Sequence, residues 1–210
     1  VKKIGIILLG LVFLAGCSGV GFNQKAQLQG ATSTLKTQVA VQSNQLALID
    51  ADAAAFPSTF QKAYAKDNRQ TFDQTGPVNA LIQRRTKAYK RLESAQTAIE
   101  TATTTLTKAS SQQTANLPTA TLTDTLNSLK LAKLDHKTFD AYYREMTSAE
   151  TAFFAAVAKD PSDTAAINAA LGRLNEYSSS LSQQAEIVQA NLQMLSQNVA
   201  TLSKAVDKMK

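Results

Sequence analysis

The chain has 210 residues, with 22 Lys+Arg against 16 Asp+Glu, a formal net charge of +6, one Cys, one His and no Trp. A single His and a single Cys leave no ligand set for zinc, and a Ser-His-Asp triad would have one available base and no nucleophile elbow around any Ser. Aromatics make up only 6%, which argues against a cleft that stacks sugars on rings, and the dominance of Ala, Gln, Ser, Thr and Leu with little strand-like alternation points to an all-α chain.

The first stretch is Val1 to Gly16, and Val1 reads as a non-standard start codon translated literally. Lys2 and Lys3 precede the apolar run Ile4 to Phe13, which is closed by Leu14-Ala15-Gly16-Cys17. A basic head, a short apolar run and small residues before a cleavage point are the parts of a secretory signal peptide. The run is shorter than the ~20 apolar residues that a membrane-spanning helix needs. Ala15 and Gly16 before Cys17 resemble the lipobox of bacterial lipoproteins. That resemblance implies a diacylglycerol on the Cys17 thiol and cleavage just before it. Cys17 is the only Cys, so it has no disulfide partner, and lipidation accounts for it. The alternative is an ordinary cleaved signal with an incidental Cys.

Removing residues 1–16 takes away Lys2 and Lys3 and no acid, leaving 20 basic against 16 acidic residues, a net charge of +4. About 190 residues remain, enough for one domain with a substantial core. The mild positive charge suits a surface lined with anionic lipid or wall polymer. Nucleic acid is not an expected partner of a secreted, anchored chain.

Residues 17–23 form the lipidated Cys and a tether containing Gly19 and Gly21, and residues 24–210 the helical domain. The first helix is expected from about Gln24 to Ala65, on a seam of Leu28, Thr32, Leu35, Val39, Gln42, Leu46, Ile49, Ala53, Phe56, Phe60 and Ala63. The alternating steps of four and three are a heptad pattern. Pro57 is expected to kink this helix, not stop it, because the seam continues in phase to Phe60. Thr75-Gly76-Pro77 marks a turn and restart. The second helix carries Leu81, Arg85, Ala88, Leu92, Ala95, Ile99, Ala102, Leu106 and Ala109, fraying over Ser110–Gln113 and ending near Asn116. Beyond Pro118 the third carries Leu122, Leu126, Leu129, Ala132, His136, Phe139, Tyr143, Met146, Glu150, Phe153 and Val157. Asp160 is expected to cap the fourth, with Pro161 at its first position and Asp163 three beyond the cap. Its seam runs Ile167, Leu171, Leu174, Ser178, Leu181, Ala185, Val188, Leu192, Leu195, Val199, Leu202 and Val206.

Four helices of similar length joined by short polar turns predict an antiparallel up-and-down bundle, each helix roughly 60 Å long. The alternative is three longer helices, with Pro118 bridged by a kink. An even number of helices brings both chain ends together, so Lys204, Lys208 and Lys210 would lie near the anchored end and the turns at Lys66–Pro77 and Lys159–Asp163 at the far end.

Three stretches carry a family resemblance. They are Phe72-Asp73-Gln74-Thr75-Gly76-Pro77-Val78-Asn79 leading to Ile82-Gln83-Arg84-Arg85, then Tyr142-Tyr143-Arg144-Glu145-Met146-Thr147-Ser148-Ala149-Glu150 with Phe153-Phe154, and Ile167-Asn168 to Leu174-Asn175-Glu176-Tyr177. With the lipobox they resemble the YkyA-like cell-wall-binding lipoproteins of Gram-positive bacteria. The resemblance implies a helical-bundle lipoprotein on the outer face of the cytoplasmic membrane, facing the wall. It supplies no site residues.

Among the remaining polar residues, His136 reads as a structural, hydrogen-bonded histidine. Asp50 and Asp52, two apart, point to different faces and make a poor carboxylate pair. No Gly-rich loop is present to cradle a phosphate, and no cofactor or metal is expected. The densest basic run holds Arg84, Arg85, Lys87, Lys90 and Arg91. Arg84, Lys87, Lys90 and Arg91 are the candidate patch for teichoic phosphates or peptidoglycan carboxylates; the alternative is a solvated helix face. Arg85 and Glu150 both stand where the seam calls for an apolar residue, at nearly equal distances from a turn centred at Leu117. They are expected to meet as a structural ion pair, unless the side chains snorkel outward. The expected function is non-enzymatic binding or spacing at the wall. The alternative is an extracellular chaperone or regulator gripping a partner protein along a helical face. A solute-binding lipoprotein would need α/β lobes.

Overall fold

The computed structural model of the protein describes residues 23–112, 114 and 116–209. The expected signal peptide, Cys17, the tether through Phe22, the fraying at Gln113 and the terminal Lys210 lie outside the described residues. Four helices follow one another: α1 (Gln24–Lys66), α2 (Gly76–Ser111), α3 (Thr119–Lys159) and α4 (Thr164–Asp207). Among the described residues there is no strand. The chain forms a four-helix bundle, and Pro118 separates two helices; it does not kink one.

The heptad seams become the core. All eleven seam positions of α1 and all nine of α2 are buried. Fully burying a Leu, Val, Ile or Phe stabilises by about 1.5–3 kcal/mol relative to exposure. The interior positions are thus the main driving force, because helices in a folded protein draw most of their stability from packing an apolar face. The helices form a ring in which α1 packs on α2, α3 on α4 and α4 on α1. The fourth edge, α2 against α3, is the least closely packed. Phe56 of α1 meets Phe153 of α3 across the middle, ring centroids 5.7 Å apart, and Phe60 meets the same ring at 4.7 Å.

Both chain ends of the bundle lie together. The Lys25 ammonium donates to the Asp207 and Met209 carbonyls at 3.0 and 2.5 Å, and Gln29 donates to Asp207 at 2.9 Å. At the opposite end the Tyr64 hydroxyl and the Asn68 amide both donate to the Pro161 carbonyl, at 2.6 and 3.3 Å, joining the two turns. The α1 helix runs through Pro57 without a break.

Several boundaries and positions differ from expectation. The cap of α4 is Asp163, whose side chain accepts from the Ala166 N–H at 2.9 Å; the helix starts at Thr164. Asp160 instead ends α3 and accepts from the Ser162 N–H and hydroxyl. The reason is the Pro161 carbonyl: Tyr64 and Asn68 occupy it, so it is not free to open a helix. The α2 helix stops at Ser111, short of Asn116, where consecutive serines compete for backbone groups. On α3, Thr125 is buried where Leu126 was expected, and Asp135 where His136 was. The Thr125 hydroxyl is satisfied by the Thr121 and Asn198 carbonyls and Asp135 by the Asn191 amide, so neither polar group is left bare. Ser178 is half-buried.

The turn into α2 depends on Gly76, which has φ +77°. A side chain there would meet only Gln70, at 3.5 Å, so space is not the limit and backbone strain is. Gly76→Ala is expected to lower stability by about 1–2 kcal/mol, measured by urea unfolding. An unchanged midpoint would contradict the role given to this glycine.

Candidate functional site

The ion-paired side chains among the described residues sit on α2 and the two helices beside it. Arg85 is 1% exposed and Glu150 7%. The Arg85 guanidinium donates through Nη2 to Glu150 Oε2, so the two charges that interrupt the seams meet inside the bundle. Nε of Arg85 has no partner. Burial pushes the Glu150 carboxyl up, and the Arg85 charge and hydrogen bond only partly offset this. The pair is therefore held by packing as much as by charge.

Five further contacts follow the pair along the α2/α3 edge. The Tyr89 hydroxyl donates to Asp140, and Arg144 grips the same carboxylate at 3.0 Å. The Tyr89 ring lies flat on Tyr143, centroids 3.9 Å apart and planes 3° from parallel. Burial, then the bond to Asp140, raises the Tyr89 pKa. Burial pushes the Asp140 carboxyl up as well, but hydrogen bonds from Tyr89 and Arg144 and the Arg144 charge leave it below the usual carboxylate value. His136 Nε2 lies 2.9 Å from Glu93 Oε1, without the alignment of a hydrogen bond. Lys133 meets Glu100 at 3.2 Å. His136 is thus a contact residue at the bundle edge, and not the central, hydrogen-bonded histidine that the seam suggested.

The basic run divides. Arg84, Lys87, Lys90 and Arg91 are all exposed. Arg84 is committed: it donates to both oxygens of Asp52, at 3.2 and 2.6 Å, and that bond raises its pKa. Asp52 is buried on α1. Sequence reasoning weighed Asp52 only against Asp50 and missed its partner, 32 residues away on the next helix. The signal was available, because an antiparallel α1–α2 register centred near Asn68 brings the two within about a turn of one level. Lys87, Lys90 and Arg91 make no ion pair among the described residues. Helical spacing places Lys87 and Arg91 on the outer face that α2 shares with α1, one turn apart.

Among the described residues no group of three or more His, Cys, Asp or Glu is placed to hold a metal ion. No helix of these residues is long and apolar enough to cross a membrane. The grooves between helices are open; the one between α3 and α4 is lined by alanines together with Phe153 and Arg173. Comparison with protein-family models, curated proteins and solved structures found no match.

Proposed function

We propose that the protein is a non-enzymatic lipoprotein of the YkyA-like kind. It is anchored by a diacylglycerol on Cys17 at the outer face of the cytoplasmic membrane and binds an anionic polymer of the cell wall. The observation that carries the anchor is the order of parts at the start of the sequence. Lys2-Lys3, a short apolar run and Leu14-Ala15-Gly16 lead to the only Cys in the chain. Two acyl chains give stable membrane attachment, which one does not.

The binding half of the reading rests on Lys87, Lys90 and Arg91, exposed and without ion-pair partners among the described residues. These cations stand opposite the middle of α1, near Leu48. At 1.5 Å per residue that is about 35–40 Å along the bundle from Gln24. Screening at physiological salt acts over about 8 Å, so an upright bundle keeps this patch clear of lipid headgroups. Repeating phosphates of teichoic polymers fit it better than a membrane surface does, because each phosphate can take an Arg fork or a Lys charge.

Co-sedimentation with purified wall sacculi tests this. The wild type is expected to pellet with sacculi carrying teichoic acid and much less with sacculi stripped of it. Lys87→Glu/Lys90→Glu/Arg91→Glu is expected to weaken binding by about tenfold or more, with a smaller salt dependence. Equal binding by the triple variant would remove the patch from the account.

A second reading, a chaperone or regulator of a partner protein, is favoured by a different surface. Leu131, Leu134, Ile187 and Met194 are exposed on α3 and α4, around the Asn191–Asp135 hydrogen bond that joins those helices. A protein captured by that face, with no retention on sacculi, would favour this reading.

A further inference from the structure

Two of the three Lys or Arg ion pairs that join different helices among the described residues lie on one edge, between α2 and α3, and the His136–Glu93 contact lies there too. That edge is also where neighbouring helices pack least closely. The other edges are held differently. Gln42 donates to Gln96 across α1 and α2, and Asn198 and Asn191 donate to Ser128 and Asp135 across α3 and α4. Those links are neutral or one-sided in charge, and the one charged pair outside the α2/α3 edge, Arg84–Asp52, joins α1 and α2 where the helices pack closely. Across α2 and α3 the reach is made by long side chains: Lys133 to Glu100, His136 to Glu93, Tyr89 to Asp140 and Arg85 to Glu150. The Lys133–Glu100 pair is largely exposed, 69% and 46%, so salt screens it. The innermost pair leaves Arg85 Nε with no acceptor, so water reaching it would complete its hydrogen bonding.

We infer that the α2/α3 edge is the line along which the bundle opens, the α1–α2 hairpin swinging away from the α3–α4 hairpin. The packing of α1 on α4 is the hinge, and Phe153 of α3 parts from Phe56 and Phe60 of α1 as the gap widens. The connection from Ser111 to Thr119 ties α2 to α3 at one end, so the gap is widest at the other, beside Arg85 and Glu150. Opening there hydrates both charges and uncovers Phe139, Tyr143 and Met146 of α3 and Ala88 and Leu92 of α2, which the closed bundle hides. Ionic strength sets the balance, because the exposed outer rung Lys133–Glu100 is a charge contact that salt screens.

Distance measurement between paired spin labels tests the inference in the full chain carrying Cys17→Ser. Gln83→Cys with Thr151→Cys spans α2 and α3. Ser58→Cys with Gln83→Cys spans α1 and α2, and Thr151→Cys with Glu176→Cys spans α3 and α4. Raising salt shortens the screening length from about 30 Å at 0.01 M to about 3 Å at 1 M. The α2/α3 pair is expected to gain a second population, longer by about one helix diameter, ~10 Å. The other two pairs should keep one distance. Glu93→Gln/Glu100→Gln should give the longer population already at low salt. A single salt-independent distance across α2 and α3, or earlier broadening on another edge, overturns the inference.

Discussion

Glu150→Ala is expected to lower the unfolding free energy by about 3–5 kcal/mol, the range for breaking a buried ion pair from one side. The cost comes from Arg85. It is 1% exposed, it cannot lose its proton in a protein, and Nε already lacks a partner. Losing Glu150 leaves a buried, unpaired charge. The same reasoning predicts a different result for the double change. Arg85→Met/Glu150→Leu removes both desolvation costs while keeping the volume, and is expected to match the wild type or exceed it by about 1–4 kcal/mol. The pH dependence has a definite sign. Burial raises the Glu150 pKa above its ordinary value of 4.5, so the folded state holds this proton more tightly than the unfolded one. Stability from this group therefore falls as pH rises from about 4.5 through the raised value, and the double variant should lack that fall. Glu100 and Asp140 act in the opposite sense. Their depressed values mean stability that is present above the ordinary carboxylate range and lost as pH falls. Urea unfolding across pH, with both variants beside the wild type, checks all of this. A single-variant loss under 1 kcal/mol, as for an exposed pair, would contradict it.

Much of this bundle was legible because a heptad seam needs only local spacing. Leu28 through Ala63 were placed by steps of four and three, and every one is buried. The Arg85–Glu150 contact was legible for a geometric reason: in an antiparallel hairpin equal offsets from the turn give equal heights. Periodicity failed where a polar residue is admitted to the core by a partner on another helix. Asp135 displaces His136 because Asn191 of α4 satisfies it, and Thr125, already bonded to the Thr121 carbonyl of its own helix, also reaches the Asn198 carbonyl of α4. Nothing within α3 itself reveals those partners. The cap of α4 failed likewise: the local signals favour Asp160, with Pro161 after it, but Tyr64 and Asn68 on the other hairpin occupy the Pro161 carbonyl that such a start would use. In the basic run, exposure was legible from charge, but the commitment of Arg84 to Asp52 was not sought across helices.

Cys17→Ala is expected to abolish membrane attachment, an all-or-none effect. On the proposed reading Cys17 is both the acceptor of the diacylglycerol and the first residue after cleavage. Its thiol carries the lipid, and each buried methylene contributes about 0.8 kcal/mol to anchoring. Alanine cannot be alkylated, so the variant should accumulate as uncleaved precursor or be shed. The bundle itself, from Gln24 onward, should fold as before, because both its ends are closed by contacts such as Lys25 to Asp207 and Met209. Binding to isolated sacculi should survive in a shed form, which separates the anchor from the patch.

The most direct test of the anchored, wall-facing account is detergent-phase partitioning of the wild-type protein from cells fed a labelled fatty acid, with the mass of its N-terminal peptide. The account predicts labelled protein in the detergent phase and a terminal peptide that begins at a diacylglycerol-modified Cys17. Unlabelled protein in the aqueous phase, with an unmodified Cys17, would contradict it.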